Sequence, residues 1–124
     1  MVSFDSFVME DGIPIYMQIV LHIKRGVVAG IITDGDELPS RRSLSALLAI
    51  NPNTVQKAYR ILEDEELIES QVGAKSIVVL DRTKIATLDD ELLGDGMKRI
   101  VSELKAMGLS RQASVDLLEK YWEE

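Results

Sequence analysis

The 124-residue chain contains no cysteine, which excludes a disulfide framework, a thiol nucleophile and a cysteine-based zinc site. It has one histidine, His22, so no histidine cluster has the spacing of metal ligands, and we predict no metal site and no cofactor. The most apolar run, residues 13–23, falls well short of the ~20 residues that span a bilayer, and residues 1–11 lack the basic start of a secretory signal. The sequence therefore predicts a cytoplasmic protein without a membrane partner.

Basic residues are also scarce, because 14 Lys and Arg face 21 Asp and Glu and give a formal net charge of −7. That total argues against nucleic acid as a partner, since affinity for phosphate comes from Lys and Arg. The charge is unevenly distributed, however: residues 39–62 contain Arg41, Arg42, Lys57 and Arg60 and no acidic residue. This window carries +4 and leaves −11 for the other 100 residues, so nucleic acid stays a candidate partner for that one region.

The length and the 46% apolar content predict one folded domain with a small appendage. Residues 1–80 have the order helix, helix, helix, hairpin, which predicts a winged helix-turn-helix in an α+β, mostly helical fold. Pro14, Ser40 and Asn51 are residue types that begin helices. The predicted elements are helices from Pro14 to Gly30, Ser40 to Leu48 and Asn51 to Glu66, a connection over residues 31–39, and strands at 67–70 and 76–80 around a turn at 72–75.

Residues 81–124 differ in pattern, and we predict that they form a two-helix dimerisation tail. Apolar residues recur there at close to the helical period, and Gly94 and Gly96 predict a bend or a break. Ser110 can cap a last helix that ends near Trp122. Two helices of this length cannot close a core alone, so they must pack on the first domain, on another subunit, or on both.

We favour a homodimer interface for this tail, because Tyr121 and Trp122 are its largest apolar groups and suit an anchor on a second subunit. The same two residues could instead fill a crevice within one chain. The residues predicted to form the dimer contact are Leu92, Met97, Ile100, Leu104, Leu118, Tyr121 and Trp122.

The third predicted helix has two faces. At 100° per residue, its apolar residues, Tyr59 among them, share one side and turn toward the core. Its opposite side carries long or amide-bearing polar groups, which are the types that read base edges in a major groove. A solvated surface is the alternative interpretation, since any amphipathic helix has one. The polar side consists of Asn53, Gln56, Lys57 and Arg60.

Four blocks of the sequence occur in the order and spacing of a known family. They are Pro14-Ile15-Tyr16-x-Gln18-Ile19, Gly35-Asp36-x-Leu38-Pro39-Ser40-x-Arg42-x-Leu44, Asn51-Pro52-Asn53-Thr54-Val55-x-Lys57-Ala58-Tyr59-x-x-Leu62-Glu63 and Leu67-Ile68-Glu69. Together they resemble the DNA-binding domain of GntR-family bacterial transcription regulators over residues 13–79. The short tail resembles that of the YtrA subfamily, whose members are small and dimeric. The resemblance implies a repressor that binds an inverted-repeat operator in double-stranded DNA as a homodimer.

The resemblance also implies which residues contact DNA. The family's Leu-Pro-Ser-x-Arg arginine falls on Arg42, with Ser40 at the same helix start. The wing departs from the family's Arg-Gly-x-Gly pattern, because it keeps Gly73 and has Lys75 as its only cation. Glu66 replaces the usual glycine, so we expect the third helix to end in a less tight turn. The predicted DNA-binding residues are Ser40, Arg41, Arg42, Asn51, Asn53, Thr54, Gln56, Lys57, Arg60, Gly73 and Lys75.

Two functions remain open from the residues. The first is a sequence-specific DNA-binding regulator, for which a small-molecule effector is an open partner because no motif marks its site. The second is a protein-interaction module that has kept a winged-helix scaffold, which the net charge of −7 and the Arg-poor wing favour. An enzyme is not predicted, because no nucleophile or phosphate-binding loop has the residues that would complete it.

Overall fold

The computed structural model describes residues 1–73 and 75–124; Ala74, inside the predicted wing turn, lies outside the described residues. The chain divides into two compact units, Met1–Asp89 and Asp90–Glu124. Its elements are α1 (Ile15–Val28), β1 (Glu37–Leu38), α2 (Arg41–Leu48), α3 (Pro52–Asp64), β2 (Ile68–Ser70), β3 (Ser76–Val78), α4 (Arg82–Asp89), a π-helical turn (Asp90–Gly94), α5 (Asp95–Ala106) and α6 (Arg111–Trp122). Over the described ranges, no helix is both long and apolar enough to cross a membrane.

The predicted winged helix-turn-helix is confirmed, and its helices begin at the predicted caps. The Ser40 hydroxyl accepts a hydrogen bond from the Ser43 N–H at 3.1 Å at the start of α2. The Asn51 carboxamide accepts one from the Asn53 N–H at 2.8 Å at the start of α3. Pro52 occupies the first position of α3, where it lacks only an N–H that no helical carbonyl would meet. These local bonds explain why sequence alone located both starts.

The turn between α2 and α3 is closed by hydrogen bonds around Ala49. Ala49 adopts a left-handed backbone with φ 54°. The Ser45 hydroxyl donates to the Ile50 carbonyl at 2.7 Å, and the Ile50 N–H donates to the Ser45 carbonyl at 3.1 Å. The reciprocal pair sets the direction in which α3 leaves α2, and therefore the angle between the two helices.

The sheet is antiparallel with the order β1-β3-β2. Sequence periodicity missed β1, which was interpreted as part of a connection, because two residues are too few to reveal an alternating pattern. The first residues of the chain reinforce this edge, since the Val2 N–H donates to the Glu37 carbonyl at 2.7 Å. Val2 and Phe4 are both buried, so the N-terminal segment is part of the first unit's core.

The core of the first unit lies between α1, α2, α3 and the sheet, and α1 packs against both α3 and α4. Leu88 of α4 is buried in it, and the first compact unit extends to Asp89. Burial of each large side chain contributes about 1.5–3 kcal/mol. The largest fully buried aliphatic and aromatic side chains are Ile19, Ile23, Leu38, Leu44, Val55, Tyr59, Leu62 and Val78.

The second unit is entirely helical and buries no side chain. The glycines at 94 and 96 do not break it. Gly94 has the right-handed backbone angles φ −62° and ψ −50°, and the winding loosens to a π-helical turn over Asp90–Gly94. The Ser110 hydroxyl caps α6 by accepting from the Ala113 N–H at 3.1 Å, so the predicted last helix is confirmed.

The expectation of a less tight end to α3 is wrong. Glu66 adopts a left-handed φ of 60°, which is the conformation a glycine would take there. The turn closes because the Leu67 N–H donates to the Leu62 carbonyl at 2.9 Å. Lys84 of α4 also donates from its ammonium to the Glu66 carbonyl at 2.6 Å. Burial of Leu67 and these bonds outweigh the cost of a left-handed non-glycine residue, which is about 1–2 kcal/mol.

We predict that Glu66→Gly raises the free energy of unfolding by about 0.5–1 kcal/mol, because glycine has no Cβ to disfavour a left-handed backbone. The Lys84 bond survives, since it uses the main-chain carbonyl. Urea denaturation followed by circular dichroism measures the change. The control is Arg60→Gly at an exposed position inside α3, which should lower the same free energy by about 0.5–1 kcal/mol. Destabilisation by both variants would contradict the assignment of strain to Glu66.

Candidate nucleic-acid interface

The two faces of α3 lie as the sequence predicted. Val55, Ala58, Tyr59 and Leu62 are buried, and the polar residues occupy the other side. Asn53, Lys57 and Arg60 are exposed and Gln56 is half-buried. An open groove of about 480 Å³ runs along this side. It is lined by Asn53, Gln56, Lys57, Arg60, Ile61 and Asp64.

Tyr59 locks α3 to the segment that leads into α2. Its side chain has no exposed surface, and its hydroxyl donates to the Pro39 carbonyl at 2.6 Å. Burial raises the pKa of Tyr59 above its ordinary value of 10.0, and the nearby positive charge of Arg41 offsets part of that effect. The hydroxyl therefore stays protonated and keeps donating. This bond ties α3 to the segment before α2 and holds the helix in the rotation that its buried apolar side favours.

Arg41 is engaged inside the domain. Its Nη2 donates to Glu63 Oε1 at 2.6 Å, and its guanidinium lies 5.1 Å from the centre of the Tyr59 ring. Its Nε is buried and makes no hydrogen bond within the described residues. Glu63 also accepts from the Ser70 hydroxyl at 3.2 Å, so one carboxylate joins α2, α3 and β2. Sequence reasoning assigned Arg41 to phosphate, whereas the geometry gives it a partner within the fold.

At the starts of α2 and α3, some of the predicted DNA-binding side chains are used in helix caps and others are exposed to solvent. The hydroxyl of Ser40 bonds both the N–H and the hydroxyl of Ser43, and the carboxamide oxygen of Asn51 bonds the Asn53 N–H. Arg42 is exposed in the first turn of α2, and Thr54 is half-buried in the first turn of α3. Of the predicted contacts at these two starts, Arg42 therefore presents the one exposed full charge.

The wing places Gly73 and Lys75 at its tip. Both are exposed, and Gly73 has φ 83°, a backbone that the tight connection from β2 to β3 requires. The Gln71 N–H donates to the Lys75 carbonyl at 2.6 Å and closes this connection. Val72 is 99% exposed beside them. The described tip thus combines one cation with one apolar side chain.

Lys57 contacts a residue for which the sequence analysis predicts no role. Its ammonium lies 3.9 Å from the centre of the Tyr16 ring on α1. Tyr16 belongs to the first family block, but no local spacing connects residues 16 and 57. Asp64 was missed as well, because the acid-free window ended two residues earlier, yet Asp64 lines the groove together with Arg60. The groove is consequently less positive than the count of charges indicates.

In the second unit, the predicted dimer residues form apolar faces without cover. Met97, Ile100, Leu118 and Tyr121 are each more than half exposed, and Trp122 is 74% exposed. Leu92 and Leu104 are half-buried. Exposed apolar side chains that cluster in this way are more typical of an interaction surface than of ordinary protein surface.

Comparison with known proteins gives concordant results. The family model described as bacterial regulatory proteins, gntR family, matches residues 15–78. The transcriptional repressor YtrA of Bacillus subtilis is 33% identical over 98 residues, which cover 77% of this chain and 75% of that protein. A GntR family transcriptional regulator from Listeria monocytogenes is 31% identical with a TM-score of 0.80, over 90% of this chain and 98% of its own. YtrA from Sulfolobus acidocaldarius is 27% identical with a TM-score of 0.55, over 98% and 97%.

We predict that Tyr59→Phe lowers the free energy of unfolding by about 1–3 kcal/mol at pH 7, because the buried Pro39 carbonyl loses its donor. Chemical denaturation of both proteins measures the difference. Tyr16→Phe is the control, since it removes the hydroxyl of a half-buried ring that keeps its contact with Lys57 and should change the free energy little. An equal loss in the two variants would contradict a special role for the Tyr59 bond.

The comparison of wild type with Tyr59→Phe also predicts a pH dependence of stability. The unfolded chain loses the Tyr59 proton near pH 10, whereas the folded chain holds it to higher pH because its pKa is raised. The contribution of the protonated Tyr59 hydroxyl to the free energy of unfolding is therefore complete below pH 10. It is lost as pH rises above 10, at about 1.4 kcal/mol per pH unit. The difference in stability between wild type and Tyr59→Phe should shrink between pH 10 and 11. Parallel stability curves in this range would contradict it.

Proposed function

We propose that the chain, which belongs to the GntR family of bacterial transcriptional regulators and has their helix-turn-helix DNA-binding domain, represses transcription by binding an inverted-repeat operator as a homodimer. The observation that carries the proposal is the outward polar face of α3 on a rigidly closed helix-turn-helix. In this proposal Asn53 and Gln56 read adenine edges and Lys57 reads guanine in the major groove. Arg60 extends the same polar face of α3, where it lines the protein's own groove.

Contacts to phosphate position the domain in this mechanism. Arg42 meets the backbone from the start of α2, where the helix dipole adds partial positive charge beside Ser40. Asn51 and Thr54 do so from the start of α3, and Lys75 from the wing. We assign Arg41 a positioning role instead, because its bond to Glu63 holds the start of α2 on α3.

The surface of the second unit supports a homodimer. The apolar faces of α5 and α6 leave their largest side chains in water, which a second copy of the same faces would cover. Two-fold symmetry then presents two recognition helices to half-sites of opposite orientation. Repression is favoured by similarity to YtrA of Bacillus subtilis, which is a transcriptional repressor.

A protein-interaction module is the second candidate, and the wing is the observation that favours it. Val72 is fully exposed and Lys75 is the single cation among the described wing-tip residues, which is a poor set for phosphate. The two candidates differ in salt dependence. An operator complex weakens steeply with salt because counterions are released from DNA, whereas a module of this kind binds no DNA at low salt.

We predict that Lys57→Ala weakens binding to the preferred duplex by about 1–3 kcal/mol and relaxes the preference at one base pair. Arg42→Ala should instead weaken binding to all sequences and reduce the slope of log affinity against log salt by about 1. Fluorescence anisotropy at several salt concentrations measures both, with a duplex enriched from a random library by the wild-type protein.

The matched control for both variants is Arg25→Ala, which removes an exposed cation near the end of α1 that does not line the groove. It should change neither the base preference nor the salt slope. Absence of any enriched sequence for the wild type at low salt, with the dimer intact, would reject the regulator in favour of the interaction module.

We predict that Leu118→Asp converts the protein to monomer at micromolar concentration, because it places a charge in the apolar face of α6. Operator affinity should fall by about 100-fold, since linked binding to two half-sites is lost. Analytical ultracentrifugation and anisotropy measure the two effects. Arg111→Ala, which makes the same change of one charge on α6, is the control. An unchanged sedimentation mass for Leu118→Asp would exclude this face as the dimer contact.

A further inference from the structure

The basic residues of the window are held in two different ways. Arg41 bonds the carboxylate of Glu63, whose negative charge offsets part of its field. Lys57 lies over the face of the Tyr16 ring, with its ammonium 3.9 Å from the ring centre. An aromatic face attracts a cation through its quadrupole and adds no negative charge. Lys57 therefore keeps both its full charge and N–H donors that can bond another group.

The ring beneath Lys57 is part of an anchored platform. Tyr16 is half-buried at the first turn of α1, and α1 packs along α3. The carboxamide of the buried Gln18 accepts from the Glu10 N–H at 2.8 Å and donates to the Ile13 carbonyl at 2.7 Å. These bonds tie the segment before α1 to the helix itself. Because α1 packs along α3, the fold places the Tyr16 ring beside that helix.

A lysine side chain normally has about 2 kcal/mol of rotamer entropy to lose when it is immobilised. Immobilising such a side chain on binding costs about 0.5–1.5 kcal/mol. A ring contact that restricts the ammonium in the free protein moves part of that loss from DNA binding to folding. Lys57 also lines the groove on α3, so the contact with Tyr16 restricts a side chain of the surface that would meet a base.

We propose that Tyr16 is a positioning residue for sequence recognition, which holds the ammonium of Lys57 at the height of a major-groove acceptor before DNA arrives. This inference rests on the proposed function, because it assigns to Lys57 a base contact that only a DNA-binding α3 makes. It adds a residue of α1 to a recognition surface otherwise formed by α2, α3 and the wing.

A double-mutant cycle with Tyr16→Leu and Lys57→Met tests the inference, with the duplex enriched by the wild-type protein as the probe. Tyr16→Leu should weaken binding by about three- to tenfold, because the cation–π contact and the confinement are both lost. In the Lys57→Met background the same substitution should have less than a twofold effect. Tyr16→Phe, which keeps the ring, should restore most of the affinity. Ile15→Val trims the adjacent half-buried side chain and controls for loosening of α1.

Nuclear magnetic resonance of the free protein gives a readout without DNA. The ε-methylene protons of Lys57 should be shifted upfield by the ring current of Tyr16, and the shift should vanish in Tyr16→Leu and persist in Tyr16→Phe. Equal losses from Tyr16→Leu in both backgrounds, tighter binding by Tyr16→Leu, or no ring-current shift would overturn the inference while leaving the operator complex intact. If the wild type enriches no sequence although the ring-current shift is present, the proposed function fails, and the role in recognition fails with it.

Discussion

Burial of the apolar side of α3 sets which side of the helix faces outward, and the hydrogen bond from the Tyr59 hydroxyl to the Pro39 carbonyl narrows the rotation of the helix about its own axis. Apolar packing on the same face stabilises the helix but is non-directional, whereas a buried bond of 2.6 Å has a defined geometry. The accepting carbonyl lies immediately before the cap of α2. One bond therefore couples the starting point of α2 to α3, and the groove residues take their direction from this bond together with the apolar packing.

Charge in this domain is controlled by neighbours rather than by number. The window of residues 39–62 counts +4, but Glu63 takes up Arg41 and Asp64 shares the groove with Arg60. Carboxylates just outside the window thus reduce its field to that of Arg42, Lys57 and part of Arg60. Lys57 rests on an uncharged ring and keeps its full charge. A charge count locates the surface, and contacts between distant elements decide which cations can meet phosphate or base.

Sequence predicted the features that depend on local bonds. Caps at Ser40 and Asn51 and the faces of α3 follow from residue type and a period of 3.6, and the structure confirms them. Prediction from sequence missed β1, whose partner β3 lies about 40 residues later in the chain. It also missed the contact of Tyr16 with Lys57, which no sequence spacing indicates. The prediction of a less tight turn at Glu66 was wrong for a related reason. Residue preference disfavours a left-handed glutamate, but burial of Leu67 and the bond from Lys84 require that backbone.

The acidic excess weakens DNA binding by a single domain, whereas the apolar tail favours association of two chains. The −11 carried outside the window repels phosphate and leaves few orientations in which one domain can dock. With few available cations, a single domain has few phosphate contacts and weak affinity. The uncovered faces of α5 and α6 independently favour a second copy, since burying them removes apolar surface from water. In the proposed dimer the contact that covers these faces also doubles the number of cations on DNA, so the composition that argues against binding by one domain is compatible with binding by two.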